Sequence, residues 1–71
     1  MRRFLIVVEK AADNYSAYSP DLPGCVATGG TPDEIKARMR AAIDMHVQGL
    51  REDRLPIPEP SATAEYIEVA S

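Results

Sequence analysis

The chain has one cysteine, Cys25, one histidine, His46, and no tryptophan. A lone thiol excludes an internal disulfide framework and suits a reducing compartment. One imidazole and one thiol, with no ligand pair at close spacing, make no tetrahedral metal site, so neither metal nor cofactor is expected. Long apolar runs are missing too. The run at residues 4–8, FLIVV, is shorter than the core of a secretory signal, and Glu9 ends it. Nothing approaches the ~20 apolar residues of a membrane span, and the expected location is the cytoplasm. A basic excess is likewise absent. Eleven acidic and 8 basic side chains leave a net charge of −3, which argues against general nucleic-acid affinity. From position 55 onward the chain carries Glu59, Glu65 and Glu68 but neither Lys nor Arg. Such a tail would suit a basic partner, although solubilising charge also explains it.

What remains is enough for one domain, spanning 1–71. A domain this small buries only about 60% of its unfolded surface and lacks staples here, so self-association is the expected source of added stability. A homo-oligomer, dimer or tetramer, follows as an expectation.

Residues 3–9, RFLIVVE, read as a strand with Phe4, Ile6 and Val8 on one face and Leu5 and Val7 on the other. Both faces are apolar, as in a central strand or one whose second face a partner covers. Turn formers at 11–14 lead to a second strand at 15–19, and a short third strand fits 25–28.

Between these two strands lies PDLPG. Pro20 and Pro23 fix φ and remove backbone donors, and Gly24 supports the positive φ of a tight reversal. The segment is expected to be a stiff, largely non-hydrogen-bonded link that projects Asp21, Leu22 and Pro23. It serves as a plain connection or as part of a binding surface.

Thr31-Pro32-Asp33-Glu34 then opens a helix: Thr31 as N-cap, Pro32 at N1, and Glu34 completing a capping box. Ile35, Met39, Ala42, Ile43, His46, Val47 and Leu50 share a stripe at 3.6 periodicity. The helix should end at 52–54, before the three prolines of LPIPEP. Residues 63–70 alternate as a last strand, Ile67 and Val69 on one face and Tyr66 on the other. The expected class is therefore α+β, in the order β-β-β-α-β. A right-handed crossover would set the fourth strand parallel to the first, in a four-stranded mixed sheet with one helix on one face.

Chemistry has few candidates. His46 falls inside the apolar stripe and reads as a partly buried, hydrogen-bonded core residue with a structural role, because a general base needs a partner and a cleft. Cys25 follows a Pro-Gly turn with no neighbouring positive charge, so it reads as a small buried residue and not a reactive thiol. Gly29-Gly30-Thr31 before a helix lacks the lysine of a phosphate loop, and Asp33 and Glu34 would repel an anion there. No catalytic residue is assigned.

Taken together, PDLPGC, the helix start G-G-T-x-x-E, the helix end A-x-x-M-H-x-x-G-L and PIPEP closely resemble the HicB family of antitoxins, over about residues 3–69. The resemblance implies a partial RNase H-like fold. It also implies a partner, the small basic toxin HicA, an mRNA-cleaving RNase whose catalytic surface the antitoxin covers. Full-length members usually append a helix-turn-helix or ribbon-helix-helix segment that binds the promoter. The sequence at hand runs only to Ser71, so nucleic-acid binding is not expected of it. RNase H chemistry needs carboxylates clustered around two metal ions. Here Glu9 ends the first strand, Asp13 and Asp21 belong to loops and Glu34 serves the cap, so no enzyme is expected. The expected toxin-facing residues are Asp21, Leu22 and Pro23 of the loop with Glu65 and Glu68 of the last strand. Pro20, Gly24, Thr31, Glu34 and His46 are given structural roles. The alternative is an orphan homo-oligomeric domain that binds another protein or a small ligand.

Overall fold

The computed structural model describes residues 2–71. Three short strands, β1 (Val7–Lys10), β2 (Tyr15–Tyr18) and β3 (Val26–Gly29), precede one long helix, α1 (Pro32–Glu52). The strands form an antiparallel meander in the order β1-β2-β3. Val8 stands opposite Ala17, and Ala17 opposite Ala27. Residues in register share a face, so these three lie on the helix side of the sheet, while Val7, Tyr18 and Val26 point away from it.

The first strand is shorter than its apolar run predicts, with its ladder starting only at Val7. Pro20 is the cause. Continuing the register would set Leu5 opposite Pro20, which has no N–H to give. The buried hydroxyl of Ser19 substitutes, donating to the Leu5 carbonyl at 3.0 Å.

The core is compact and local. Leu22, Ile35 and Met39 are fully buried, with Ala17 and Cys25 beside them and Phe4 and Ile6 packed at the margin. α1 lies chiefly over β3 and then β2. Its predicted stripe is therefore buried unevenly: Ile35 and Met39 completely, Ala42, Ile43, His46, Val47 and Leu50 only in part. At the near end, Gly29 is indispensable for contact, because a Cβ there would sit 3.0 Å from the Ile35 amide nitrogen.

Local signals set both ends of the helix. Thr31 Oγ1 accepts the Glu34 amide at 3.1 Å. The reciprocal half of the expected capping box gives way to a stronger partner: the Glu34 carboxylate meets Arg38 at 2.8 Å. Arg38 also donates to the Thr28 carbonyl at 2.9 Å, tying α1 to β3. At the far end, Leu55 N–H reaches the Leu50 carbonyl and Arg54 N–H the Arg51 carbonyl, a Schellman closure with Arg54 at φ 57°.

The expected fourth strand does not form within the chain. Residues 63–71 carry no strand and are all exposed, with Tyr66, Ile67 and Val69 at 102%, 81% and 77% exposure. Upstream contacts explain it. Glu59 pairs with Arg2 at 3.2 Å, then Ser61 and Ala62 bond Asp21 in the β2–β3 connection. The tail thus crosses toward β2 and leaves the free edge of β1 bare. The result is an elongated molecule, 48 × 26 × 19 Å, whose radius of gyration of 13.9 Å exceeds the ~11 Å of a compact domain this long.

Candidate functional site

The β2–β3 connection is closed by hydrogen bonds, contrary to the expectation of a largely unbonded link. Leu22 N–H donates to the Ser19 carbonyl at 3.1 Å, Cys25 N–H to the Leu22 carbonyl at 3.0 Å, and Ser19 N–H to the Cys25 carbonyl at 3.1 Å. Each of the first two bonds closes a β-turn with proline in its second position, and Gly24 at φ 83° takes the third position of the second turn. The prolines pre-set the geometry, and the intervening residues keep the N–H groups that close it.

This double turn reverses the predicted role of Leu22. Folded back between two turns, the side chain enters the core at 0% exposure, so it cannot serve as an exposed anchor for a partner. Asp21 is also engaged internally, accepting from Ser61 Oγ at 3.2 Å and from Ala62 N–H at 3.3 Å. Those bonds do join two regions paired in the sequence reading, the loop and the acidic tail. Pro20 and Pro23 stay exposed on the loop, and Glu65 and Glu68 on the arm. His46 is half-buried, as expected, but it lies outside the core cluster and joins none of the side-chain hydrogen bonds among the described residues; it lines a shallow notch of about 190 Å³ with Cys25 and Met45. Burial pushes the Cys25 thiol pKa up, which disfavours the thiolate.

Two further surfaces stand out. The sheet face opposite α1 carries Val7, Tyr18 and Val26, the last two 41% and 64% exposed. Sequence reasoning singled out neither Tyr18 nor Val26, although the two-sided apolar pattern of the first strand had signalled an uncovered face. Along the bare side of β1, two depressions of about 800 and 350 Å³ share Arg2, Phe4, Ile43 and Asp44, and so form one groove. Phe4, Ile6, Ile43 and Val47 contribute apolar lining, and the helix side adds Lys36, Arg40 and Arg51 together with Asp44 and Gln48. Among the described residues, no three His, Cys, Asp or Glu side chains converge as metal ligands, and no helix is long and apolar enough to cross a membrane.

Comparison with known proteins finds relatives over nearly the whole chain. The family model described as the HicB_like antitoxin of bacterial toxin-antitoxin systems matches residues 4–70. A UPF0150 protein of Helicobacter pylori is 31% identical over 65 residues, covering 90% of each chain. A UPF0150 protein of Archaeoglobus fulgidus is 36% identical over 47 residues, 65% of this chain and 68% of that one. A 14.9 kDa protein from the rep-hol intergenic region of Haemophilus phage HP1 is 36% identical over 62 residues, 87% of this chain. The chain spans about half of that relative, 47% of its length. With nearly its whole length matched, this chain belongs to the HicB-like antitoxin family of bacterial toxin–antitoxin systems.

Proposed function

We propose that this chain is a protein-binding module that neutralises a small, basic HicA-type toxin by covering the surface with which it cleaves mRNA. The family match over residues 4–70 carries this reading. Two features of the molecule support it. The open sheet face offers Val7, Tyr18 and Val26 as apolar contact area beside the exposed Pro23. The arm adds Glu65 and Glu68 with no compensating cation, a charge that steers a basic partner toward it. The chain acts by occlusion, without chemistry of its own, in the cytoplasm where mRNA is translated. The β-β-β-α order followed by an extended arm fits a partial RNase H-like fold whose last strand is completed on assembly.

Titrating the purified chain into an RNA-cleavage assay with the cognate HicA-type toxin tests this. Cleavage should fall to background at a fixed stoichiometry. Tyr18→Asp with Val26→Asp should weaken inhibition at least tenfold while α1 stays folded by circular dichroism. Full toxin activity in excess wild-type chain would sink the reading.

A further inference from the structure

The motif A-x-x-M-H-x-x-G-L, residues 42–50, is only partly used by the fold. α1 runs 21 residues, roughly 31 Å, and outruns four-residue strands roughly 13 Å long. Its fully buried residues, Ile35 and Met39, both belong to the first half. Beyond them Ala42, Met45, His46 and Gly49 recur at helical spacing on one side, and none is buried. Met45 is 74% exposed. His46 has no side-chain hydrogen bond among the described residues. Gly49 is the clearest sign. Glycine weakens a helix interior relative to alanine, yet a Cβ at 49 would meet nothing within 4 Å, unlike one at Gly29. A glycine that its own chain does not require leaves room for the backbone of another.

We propose that this half of α1 is a second contact for the toxin, continuous with the open sheet face. One large apolar side chain of the toxin enters the notch between Cys25, Val26, Ala42, Met45 and His46, and the toxin backbone crosses Gly49. The inference rests on the proposed function and adds where the partner is held. Three observations commit the surface to that partner. The notch, about 190 Å³, has room for a single large side chain, the form an interface anchor takes. Val26 borders both the notch and the open sheet face, so a partner on that face reaches the notch around the outer edge of β3. Charge then selects a basic partner. Glu52 and Asp53, one turn beyond Gly49 on the same side, are exposed and form no ion pair among the described residues. Arg51 turns to the groove on the other side of α1, and Arg38, at the near end, is neutralised by Glu34. The side that bears the notch is therefore negative at its far end, which favours approach of a cationic surface.

Surface-plasmon kinetics against the immobilised cognate HicA-type toxin test this. Gly49→Leu should fold with a melting temperature at or above that of the wild type, yet bind the toxin at least tenfold more weakly. Gln48→Leu, adding the same bulk on the groove side of α1, should bind within twofold of the wild type. Glu52→Lys with Asp53→Lys should slow association at least fivefold and flatten its salt dependence. Wild-type affinity in Gly49→Leu overturns the inference, and so does an unchanged association rate in the charge reversal. A Gly49→Leu chain that binds toxin normally but loses self-association in sedimentation equilibrium assigns the surface to a second copy, which also overturns it. Tight binding by the wild type with these results leaves the proposed function standing, whereas no binding by the wild type would overturn both.

Discussion

Two proline-bearing segments, PDLPG at 20–24 and PIPEP at 56–60, have similar compositions and fold in opposite ways. The first becomes two hydrogen-bonded turns with Leu22 sealed in the core. The second is a strap without regular structure that holds Ile57 half-buried and meets Arg2 through Glu59. Spacing accounts for the difference. Two residues separate Pro20 from Pro23, so Leu22 and Cys25 keep the N–H groups that close each turn. In PIPEP every second residue is proline. A turn begun at Leu55 or Ile57 would need a donor from Pro58 or Pro60, which have none. One begun at Pro56 would place Pro58 at the disfavoured third position. Proline rigidifies a turn only when it leaves the closing donor in place.

The largest test of this contrast is Leu22→Ala. Emptying a fully buried site should cost about 2–5 kcal/mol, enough to populate the unfolded state in a domain this small. Urea melts followed by circular dichroism should show it, and a loss below about 1 kcal/mol would mean the turns fold without their plug. Gly24→Ala comes next. At φ 83° an alanine is strained, and a loss of about 1 kcal/mol is expected, with the transition otherwise unchanged. Arg54→Gly probes the entrance to the second segment. Arg54 takes the left-handed position that glycine prefers, so this change should stabilise the chain by about 0.5–1 kcal/mol in the same assay. Glu59→Gln should have the smallest effect, a few tenths of a kcal/mol, because the Glu59 side chain is 80% exposed. A shift as large as that of Leu22→Ala would show that the strap is part of the core.

What was legible in the sequence was local. The N-cap at Thr31, the proline stop after α1, the positive φ of Gly24 and the half-burial of His46 each depend on neighbours within a few residues or one helical turn. The inward turn of Leu22 was not legible, because PDLPG alone does not say on which side the core lies. The bond from Asp21 to Ala62 joins residues 41 apart, and no spacing rule reports it. The arm is the instructive failure. Alternation in residues 63–70 suggested a strand, but a strand exists only against an edge, and this chain leads its tail away from its own.

Cys25 gives the molecule a built-in clock. Its thiol sits at the mouth of the second turn, 4% exposed, with its pKa raised by burial. The thiolate is the species that reacts with alkylating reagents, so labelling must wait for the turns to open. Because the folded pKa is raised, this group's contribution to stability is complete below the ordinary thiol pKa and is lost as pH rises through the folded value. Alkylation at neutral pH therefore counts openings of the native chain without an introduced probe. Any partner that binds only the closed form will slow that count by a factor of one plus the ratio of its concentration to its dissociation constant.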